Sequence, residues 1–540
     1  MIFPSIPKTK GWLFVKKAMP LTLSAALLGA LLVSCSTKDA AGDQTDSPAP
    51  DKKYKLTYLN QNFDKTVKDS YAVKYVEQKF NVEVEQLPRS KDNYKEELLL
   101  KVASGEIPDV WVDLGFPEYE KLVNQGAVAE IPQEMIEKNA PHYWAWLKKH
   151  LGDDPLKFFR RDGKNYSLPI IQTLGPDRTV VGIRKDWLDN VGIAKQPETL
   201  EEFEDALRKF RNNDPDKNGK KDTYGWTGQA VTVKDIFSPV FGAFGVFPGT
   251  FTEQGGKIVR GEIEPGAKQA LAVLSKWYKE ELIDPEFVLN KGQNVDDKVI
   301  SSKAGMVTAS WYQFIQRAAF FDGKYYEKLR GSVPNASWAL TAGPKGPDGQ
   351  QGTVQLNPIA SSGGQFGKHM EQDKGKMAKY LQVADATAFD AEIFENIVYG
   401  EQGKTYKKGE KGDFIYLPPY DKEEEQIKFG IGQQYTFLGK SFNDYDFQTP
   451  YMTLNELMPL RKASEHIGKG KYDMLQPVQM PAYNENIDTL DQITLKYFID
   501  IITGQRPVSD FDKYVEEWKK TGGSKMMEEA QKKYEENFKK

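Results

Sequence analysis

The chain has 540 residues and nearly balanced charge, with 73 Lys+Arg against 77 Asp+Glu; acids and bases are interleaved, which excludes the basic stripe of a nucleic-acid binder. At 39% hydrophobic and 12% aromatic residues it can fill the cores of about two to four domains and still leave Trp and Tyr for a binding site. The single cysteine, Cys35, excludes an internal disulfide framework and a thiolate zinc site.

In chain order, residues 1–20 carry Lys8, Lys10, Lys16 and Lys17 and no acid, and they lead into the apolar run LTLSAALLGALLV, which stops at SCSTKDAAGDQ. A basic start, a short apolar run and small residues at the cut describe an export signal. The run is shorter than the roughly 20 residues that span a bilayer. Leu32-Val33-Ser34-Cys35 resembles the bacterial lipobox, which implies cleavage after residue 34 and acylation of Cys35. Two or three acyl chains, at about 0.8 kcal/mol per buried methylene, hold a soluble domain on a membrane durably. Residues 1–34 are therefore expected to be a lipoprotein signal peptide and 35–53, polar and proline-containing, a lipidated disordered tether. That places the protein on the extracellular face of the cell membrane.

The folded part begins near Tyr54. YKLTYLN alternates as a strand, SYAVKYVEQKF is apolar at helical spacing, and NVEVEQL alternates again. DNYKEELLLKVASGEIPDVWVDL predicts a helix ending at Gly105, a break at Pro108 and a strand DVWVDL. Strand, helix, strand, helix, strand is an α/β pattern with a largely parallel sheet, whose ligands sit beyond the carboxyl ends of the strands. A second run starts after DGKNYSLP, where TVVGIRKDWLDNVGI offers a strand and a helix. In PETLEEFEDALRKFRNN, Thr199 and Glu202 form a capping box, and Leu200, Phe203, Ala206, Leu207 and Phe210 line one face. Further helices are expected at 266–281, 487–503 and 509–520. There is no repeat of fixed period.

DPDKNGKKDTYG places oxygen ligands at the spacing of an EF-hand loop: Asp214, Asp216, Asn218 and Asp222, with Gly219 at the sharp turn and the Lys220 carbonyl between them. The twelfth position is Gly225, so the bidentate glutamate of a sensor site is missing, and no paired helix motif accompanies it. A structural calcium staple is the expectation, with a solvated turn that holds no metal as the alternative.

The four histidines, His142, His150, His369 and His466, form no zinc motif. YGEQGKT lacks the first glycine of a phosphate loop, which would fall at Val398, and there is no G-x-S-x-G elbow.

ASGEIPDVWV, RDGKNYSLP, IRKDWLDNVGI, PETLEEFEDALRKF, DPDKNGKKDTYGWTG, WYKEELIDPEF, KAGMV, GPKGPDGQQG and YGEQGKTY run in order along the mature chain, and together they resemble the extracellular solute-binding protein family 1. The closer resemblance is to the large lipoproteins that serve sugar importers of the ABC type. It implies a two-lobed α/β fold like that of maltose-binding proteins (the class II, periplasmic-binding-protein-like type), with the ligand cleft between lobes joined by a hinge. Lobe 1 is expected from 54–172 and about 356–425, lobe 2 from about 177–352 and 430–540. The same resemblance implies a monomeric, non-enzymatic carrier that passes a carbohydrate, expected to be an oligosaccharide, to importer permease subunits. It also implies a calcium loop away from the sugar. A secreted glycoside hydrolase is the enzyme alternative, since its paired carboxylates are set by separation in space; a lipoprotein that presents its ligand to a membrane sensor is the third.

A pyranose needs aromatic plates and convergent polar groups. On that ground Asn62 and Gln172 are expected to hydrogen-bond the sugar and Asp113 to accept from its hydroxyls, with Trp226 as a further aromatic; the family resemblance, in which the KAGMV strand leads to a sugar-stacking aromatic, implies that Trp311 and Tyr312 stack on it. Trp187 and Trp277 sit on amphipathic helices and are expected in the core.

Overall fold

The computed structural model describes residues 47–59, 68–87, 93–112, 114–316, 323–359, 361–436 and 445–539. Cys35, Asn62 and Asp113 lie outside the described residues. Among the described residues no helix is long and apolar enough to cross a membrane.

Two four-stranded sheets organise the chain. In the first, Tyr54–Leu59 lies between Val82–Gln86 and Val110–Val112 and is parallel to both, and Gly364–Phe366 adds antiparallel to Val110–Val112. The helices Tyr71–Phe80 and Tyr94–Ser104 make the crossovers. This is the strand-helix alternation expected from the sequence. Its core joins Leu56, Val110, Phe366 and Tyr380.

In the second sheet, Thr179–Arg184 runs antiparallel to both Trp338–Thr341 and Ala304–Ser310, and Tyr224–Trp226 closes the far edge parallel to Ala304–Ser310. This sheet is mixed, not parallel, because Thr179–Arg184 enters from the first lobe and runs against the strands that return to it. Gly182 is required here by a close approach: a Cβ would stand 2.1 Å from the Phe314 ring. The helix Leu200–Asn212 buries Leu200, Phe203, Ala206, Leu207 and Phe210, and both halves of the Thr199–Glu202 capping box are formed. The expected later helices are Pro265–Lys279, Pro481–Ile502 and Phe511–Trp518. Trp187 and Trp277, expected in the core, are fully buried in the large cluster of this half together with Phe498 and Trp518.

Residues 430–436 and 445–451 pack with the first sheet's half and not with lobe 2, where they were expected. The Ala72 amide donates to the Gly430 carbonyl at 3.0 Å and the Gly432 amide to Ile397 at 3.0 Å, and Tyr435 belongs to the first core. Phe447 and Tyr451 pack their rings on Phe394 at 5.5 and 5.0 Å. The aromatic face of the helix Ala391–Tyr399 thus holds this segment on the first lobe, and the chain joins the second lobe only after it.

Candidate functional site

The two sheets are connected by segments that run side by side. Residues 172–179 and 355–358 are laced by the Gln172 amide to Pro358 O at 2.7 Å and the Leu356 amide to Gly175 O at 3.2 Å. The Gln355 side chain ties three strands of this hinge together: its Oε1 accepts from the Thr179 amide at 2.8 Å, and its Nε2 donates to the carbonyls of Thr179 and Lys469, each at 2.9 Å. The Asn357 amide group reaches the Asp473 carbonyl at 2.6 Å. Away from the hinge the halves also touch where Gln479 donates to Glu120 at 3.2 Å and where Phe158 stacks on Phe538 at 5.8 Å.

A cavity of about 460 Å³ opens beside the hinge, on the end of the second sheet. Its wall includes Thr179, Thr308 and Ser310 from two paired strands, the turn Trp226–Gln229, and Asp296, Gln313 and Tyr325. The register explains the wall: Ser310, the last residue of its strand, stands opposite Thr179, the first of its own. The carboxyl ends of two strands, Ala304–Ser310 and Tyr224–Trp226, therefore face this space, as ligand sites in α/β sheets do. The volume lies in the range of small-ligand pockets.

The polar atoms of the wall fall into two groups. Asp296 is spent on its neighbours, accepting from Tyr325 Oη at 2.8 Å and pairing with Lys324. Gln229 Oε1, Thr308 Oγ1 and Gln313 Oε1, and with them Trp226 Nε1, are buried and have no hydrogen-bond partner. Buried polar groups without partners are rare and expensive, of order 1–3 kcal/mol each. Three oxygens and one N–H with unmet hydrogen bonds thus belong to residues that wall one cavity, each with almost no accessible area of its own in this structure. A second hollow of about 520 Å³, lined by Phe244, Glu264 and Gln350 among others, carries none of these orphaned atoms.

The turn Trp226–Gln229 is held by a buried network. Asp284, 0% exposed, accepts from Thr227 Oγ1 at 2.8 Å, Asn290 Nδ2 at 2.8 Å, Lys298 Nζ at 2.7 Å and the Glu286 amide at 3.0 Å. Asn290 also donates to the Gly228 carbonyl at 2.9 Å. Burial works against the Lys298 charge, but hydrogen bonds and charge from Asp284 and Glu286 outweigh it and raise its pKa.

Elsewhere on this lobe, the oxygen-rich loop follows the helix Leu200–Asn212 and leads into Tyr224–Trp226. Asp214 caps the turn, accepting from the Asn218 amide at 3.0 Å and the Gly219 amide at 2.9 Å. Gly219 has φ +77°, which a side chain would strain. Asn218 Nδ2 bridges Asp216 at 2.8 Å and Asp222 at 3.1 Å, and the Lys220 amide donates to Asn218 Oδ1 at 2.8 Å. Asp216 Oδ1 is buried without a partner; burial, then a hydrogen bond shared with Asp214, then the Asp222 charge raise its pKa. Lys303 pairs with Asp222. Among the described residues no three His, Cys, Asp or Glu side chains form a closed metal cage.

The fold matches those of known proteins. The profile of the bacterial extracellular solute-binding protein family matches residues 63–348, just over half of the chain. The chain belongs to this family. Relatives of this solute-binding protein include the polygalacturonan/rhamnogalacturonan-binding protein YtcQ of Bacillus subtilis, 25% identical over 95% of this chain and 96% of that one. Lipoprotein LipO of the same organism is 26% identical over 96% of this chain and 98% of its own length. Among solved structures, the Streptococcus pneumoniae ABC-transporter substrate-binding protein FusA in complex with kestose superposes with a TM-score of 0.66 at 18% identity, covering 89% of this chain and 99% of that one. An EF-hand mutant of FusA gives 0.65 at 17% identity, with the same coverage of each chain.

The residues expected at the site of this solute-binding protein are placed unequally. Gln172 is on the hinge, half-buried, with its backbone bound to Pro358. Tyr312 is half-buried beside Arg178, its hydroxyl accepting from the guanidinium. Trp226 is buried among Phe203 and Phe237, yet it lines the cavity. Trp311 is corrected: at 0% exposure it packs with Val180, Val307 and Phe314 and offers no open face to a sugar. Sequence reasoning missed Gln229, Thr308 and Gln313. In VTAS the polar residues Thr308 and Ser310 alternate with apolar ones, a period-two face at the end of a strand, and that was the available signal.

Proposed function

We propose that this chain is a lipid-anchored extracellular solute-binding protein that captures an oligosaccharide and delivers it to the permease of an ABC importer. The orphaned acceptors Gln229, Thr308 and Gln313 around the hinge-side cavity carry the reading. They ask for hydroxyl donors, and YtcQ and FusA, similar in sequence and fold respectively, are named for saccharide ligands. The lipoprotein name of LipO supports the anchor at Cys35, and a monomer suffices for this role.

In mechanism, the hinge lets the lobes open. A ligand that touches both gains affinity only in the closed form, so it shifts the population toward closure. The closed shape is what a permease would read. Lobe 1 is taken as 54–172 with about 361–452, and lobe 2 as about 179–354 with 467–540. Asn62 and Asp113, which follow two strands of the first sheet in the sequence, are kept as its proposed hydrogen-bonding contributions.

The test is a thermal-shift screen of residues 36–540 against neutral and acidic oligosaccharides. A ligand bound only by the native state, at a hundred times its Kd, adds about 2.7 kcal/mol. One stabiliser recovered unmodified supports the reading; consumption of the hit makes the protein a hydrolase, and stabilisation by peptides alone overturns the proposal. Gln313→Ala and Gln229→Ala should each weaken binding of the hit about tenfold, the value of roughly one hydrogen bond, as read by calorimetry.

Calcium belongs to the same proposal as a structural ion. The orphaned Asp216 Oδ1, with Asp214, Asn218, Asp222 and the Lys220 carbonyl, fits a hard cation, which takes oxygen ligands. The ion would supply the positive charge that Lys303 now lends to Asp222. Chelation at neutral pH should lower the melting temperature without changing the ligand bound. Calcium and protons compete for the same carboxylate oxygens, and the Asp216 pKa is raised by burial and by its acidic neighbours in the metal-free fold; the stabilisation by calcium should therefore shrink as pH falls into the carboxylate range. A melting temperature indifferent to chelator at neutral pH would remove calcium from the proposal.

A further inference from the structure

The charges around the cavity distinguish one class of oligosaccharide from another. Arg178 begins the second lobe at the hinge, next to Thr179 of the cavity wall, and is half-buried. Its Nε donates to the hydroxyl of Ser310, another wall residue, at 2.8 Å, and its Nη2 to the hydroxyl of Tyr312. The guanidinium also lies 5.3 Å from the centre of the Tyr312 ring. Two hydroxyls and an aromatic face orient the group and leave its charge uncancelled. No carboxylate among the described residues pairs with it; the adjacent Asp177 is instead hydrogen-bonded to His466 Nδ1 at 3.1 Å.

Arg178 is partly solvated in this form, and covering it by a bound ligand would call for a compensating anion, since fully buried charges are paired. Arginine is also the side chain whose planar fork matches a carboxylate, and hydrogen bonds between such charged partners are about twice as strong as neutral ones. The rest of the wall does not supply the missing anion. Lys324 is spent on Asp296, and Asp235 is held by the Thr232 amide and hydroxyl at 2.8 Å each. Lys234, which also lines the cavity, makes no ion pair among the described residues; its field reaches Asp473 and Asp491, which Arg260 also serves. Among the described residues, then, Lys324 is paired with Asp296, the charge of Lys234 acts on Asp473 and Asp491, Asp235 is held by Thr232, and no carboxylate of the cavity lining pairs with Arg178.

Resting on the carbohydrate reading, we infer that the ligand is an acidic oligosaccharide, with a hexuronate whose carboxylate pairs with Arg178 at the hinge. Closure would then bury the carboxylate against a guanidinium already oriented by Ser310 and Tyr312, which would make the charge a condition of tight binding. A neutral sugar of the same shape would meet the hydroxyl-accepting wall and leave Arg178 unpaired.

The experiment is titration calorimetry of the protein with trigalacturonate, triguluronate and trimannuronate, and with the methyl ester of each. Ester and acid differ in charge at nearly constant shape, so the wild-type protein alone gives the decisive comparison. At least one acid should bind at least tenfold more tightly than its ester, and more weakly as salt rises. Arg178→Gln, checked for an unchanged melting temperature, should lose that preference by weakening the acid at least tenfold and the ester little. An ester that binds as tightly as its acid overturns the inference, as does Arg178→Gln weakening both equally. If kestose or another neutral oligosaccharide binds and none of the acids does, the inference falls and the carbohydrate reading stands. If no acidic or neutral saccharide binds and a peptide does, both fall.

Discussion

Asp284→Ala is expected to cost about 3 kcal/mol of stability and to weaken ligand binding at least tenfold. Asp284 is fully buried and carries the hydrogen bonds of Thr227, Asn290, Lys298 and the Glu286 amide. Removing one member of a buried charged network leaves the others without partners, a loss of about 3–5 kcal/mol in comparable cases. Here the lower end applies, because Lys298 keeps Glu286 at 2.8 Å and Asn290 Oδ1 at 3.0 Å. Thr227 and Asn290 are the groups that hold the turn bearing Gln229 against the cavity, so affinity should fall with stability. The network should not respond to pH in the physiological range. The Lys298 pKa is raised in the fold, so the stability it adds is fully present below its unfolded value, about 10.4, and is lost only as pH rises through the folded one. Urea melts with unchanged slope measure the cost. Asp297→Ala, whose carboxylate lies on the exposed face and accepts from Gln293 at 2.7 Å, is the control and should change stability by no more than about 0.5 kcal/mol. A loss below about 1 kcal/mol for Asp284→Ala would mean that the network does not hold the wall.

Local signals carried the fold, and pairing across the chain carried the site. The strand Tyr54–Leu59, the helix Tyr71–Phe80 and the Thr199–Glu202 box were legible because each is written within a few residues, in alternation, helical spacing or cap chemistry. The second sheet was not, because its order is set by strands more than a hundred residues apart: Ser310 meets Thr179, and Trp338 meets Arg184. The same distance hid the cavity. Gln229, Thr308 and Gln313 belong to no motif, and only the register brings their unpartnered oxygens to one space. Residues 445–451 were expected elsewhere for a related reason, since the rings that fix them, Phe394 with Phe447 and Tyr451, lie about fifty residues apart in the chain. Arg178 belongs to none of the motifs in the sequence. Its lack of a carboxylate partner among the described residues, which gives it meaning, is a property of the fold alone.

Trp311→Ala tests the place where aromatic content and position were misleading together. A tryptophan directly after a strand end invites the role of sugar plate, and for such a plate truncation would cost affinity and little stability. The ring is instead 0% exposed, edge-on to Tyr312 at 5.6 Å and 82°, and packed with Val180, Val307, Phe314 and Tyr325. Large-to-small substitution of such a ring costs about 3–5 kcal/mol through lost burial and the cavity left behind. The variant should therefore melt far below the wild-type protein whether or not ligand is present. Any loss of binding should track the unfolded fraction and be recovered at low temperature. Tyr312→Phe separates the two roles of the pair. It keeps the ring and removes the hydroxyl that holds Arg178, so it should leave the melting temperature nearly unchanged while lowering affinity for a charged ligand. A Trp311→Ala protein of wild-type stability that has lost its ligand would return the ring to the binding surface, and would require an open state of the lobe in which the cluster of Val180, Phe314 and Tyr325 comes apart.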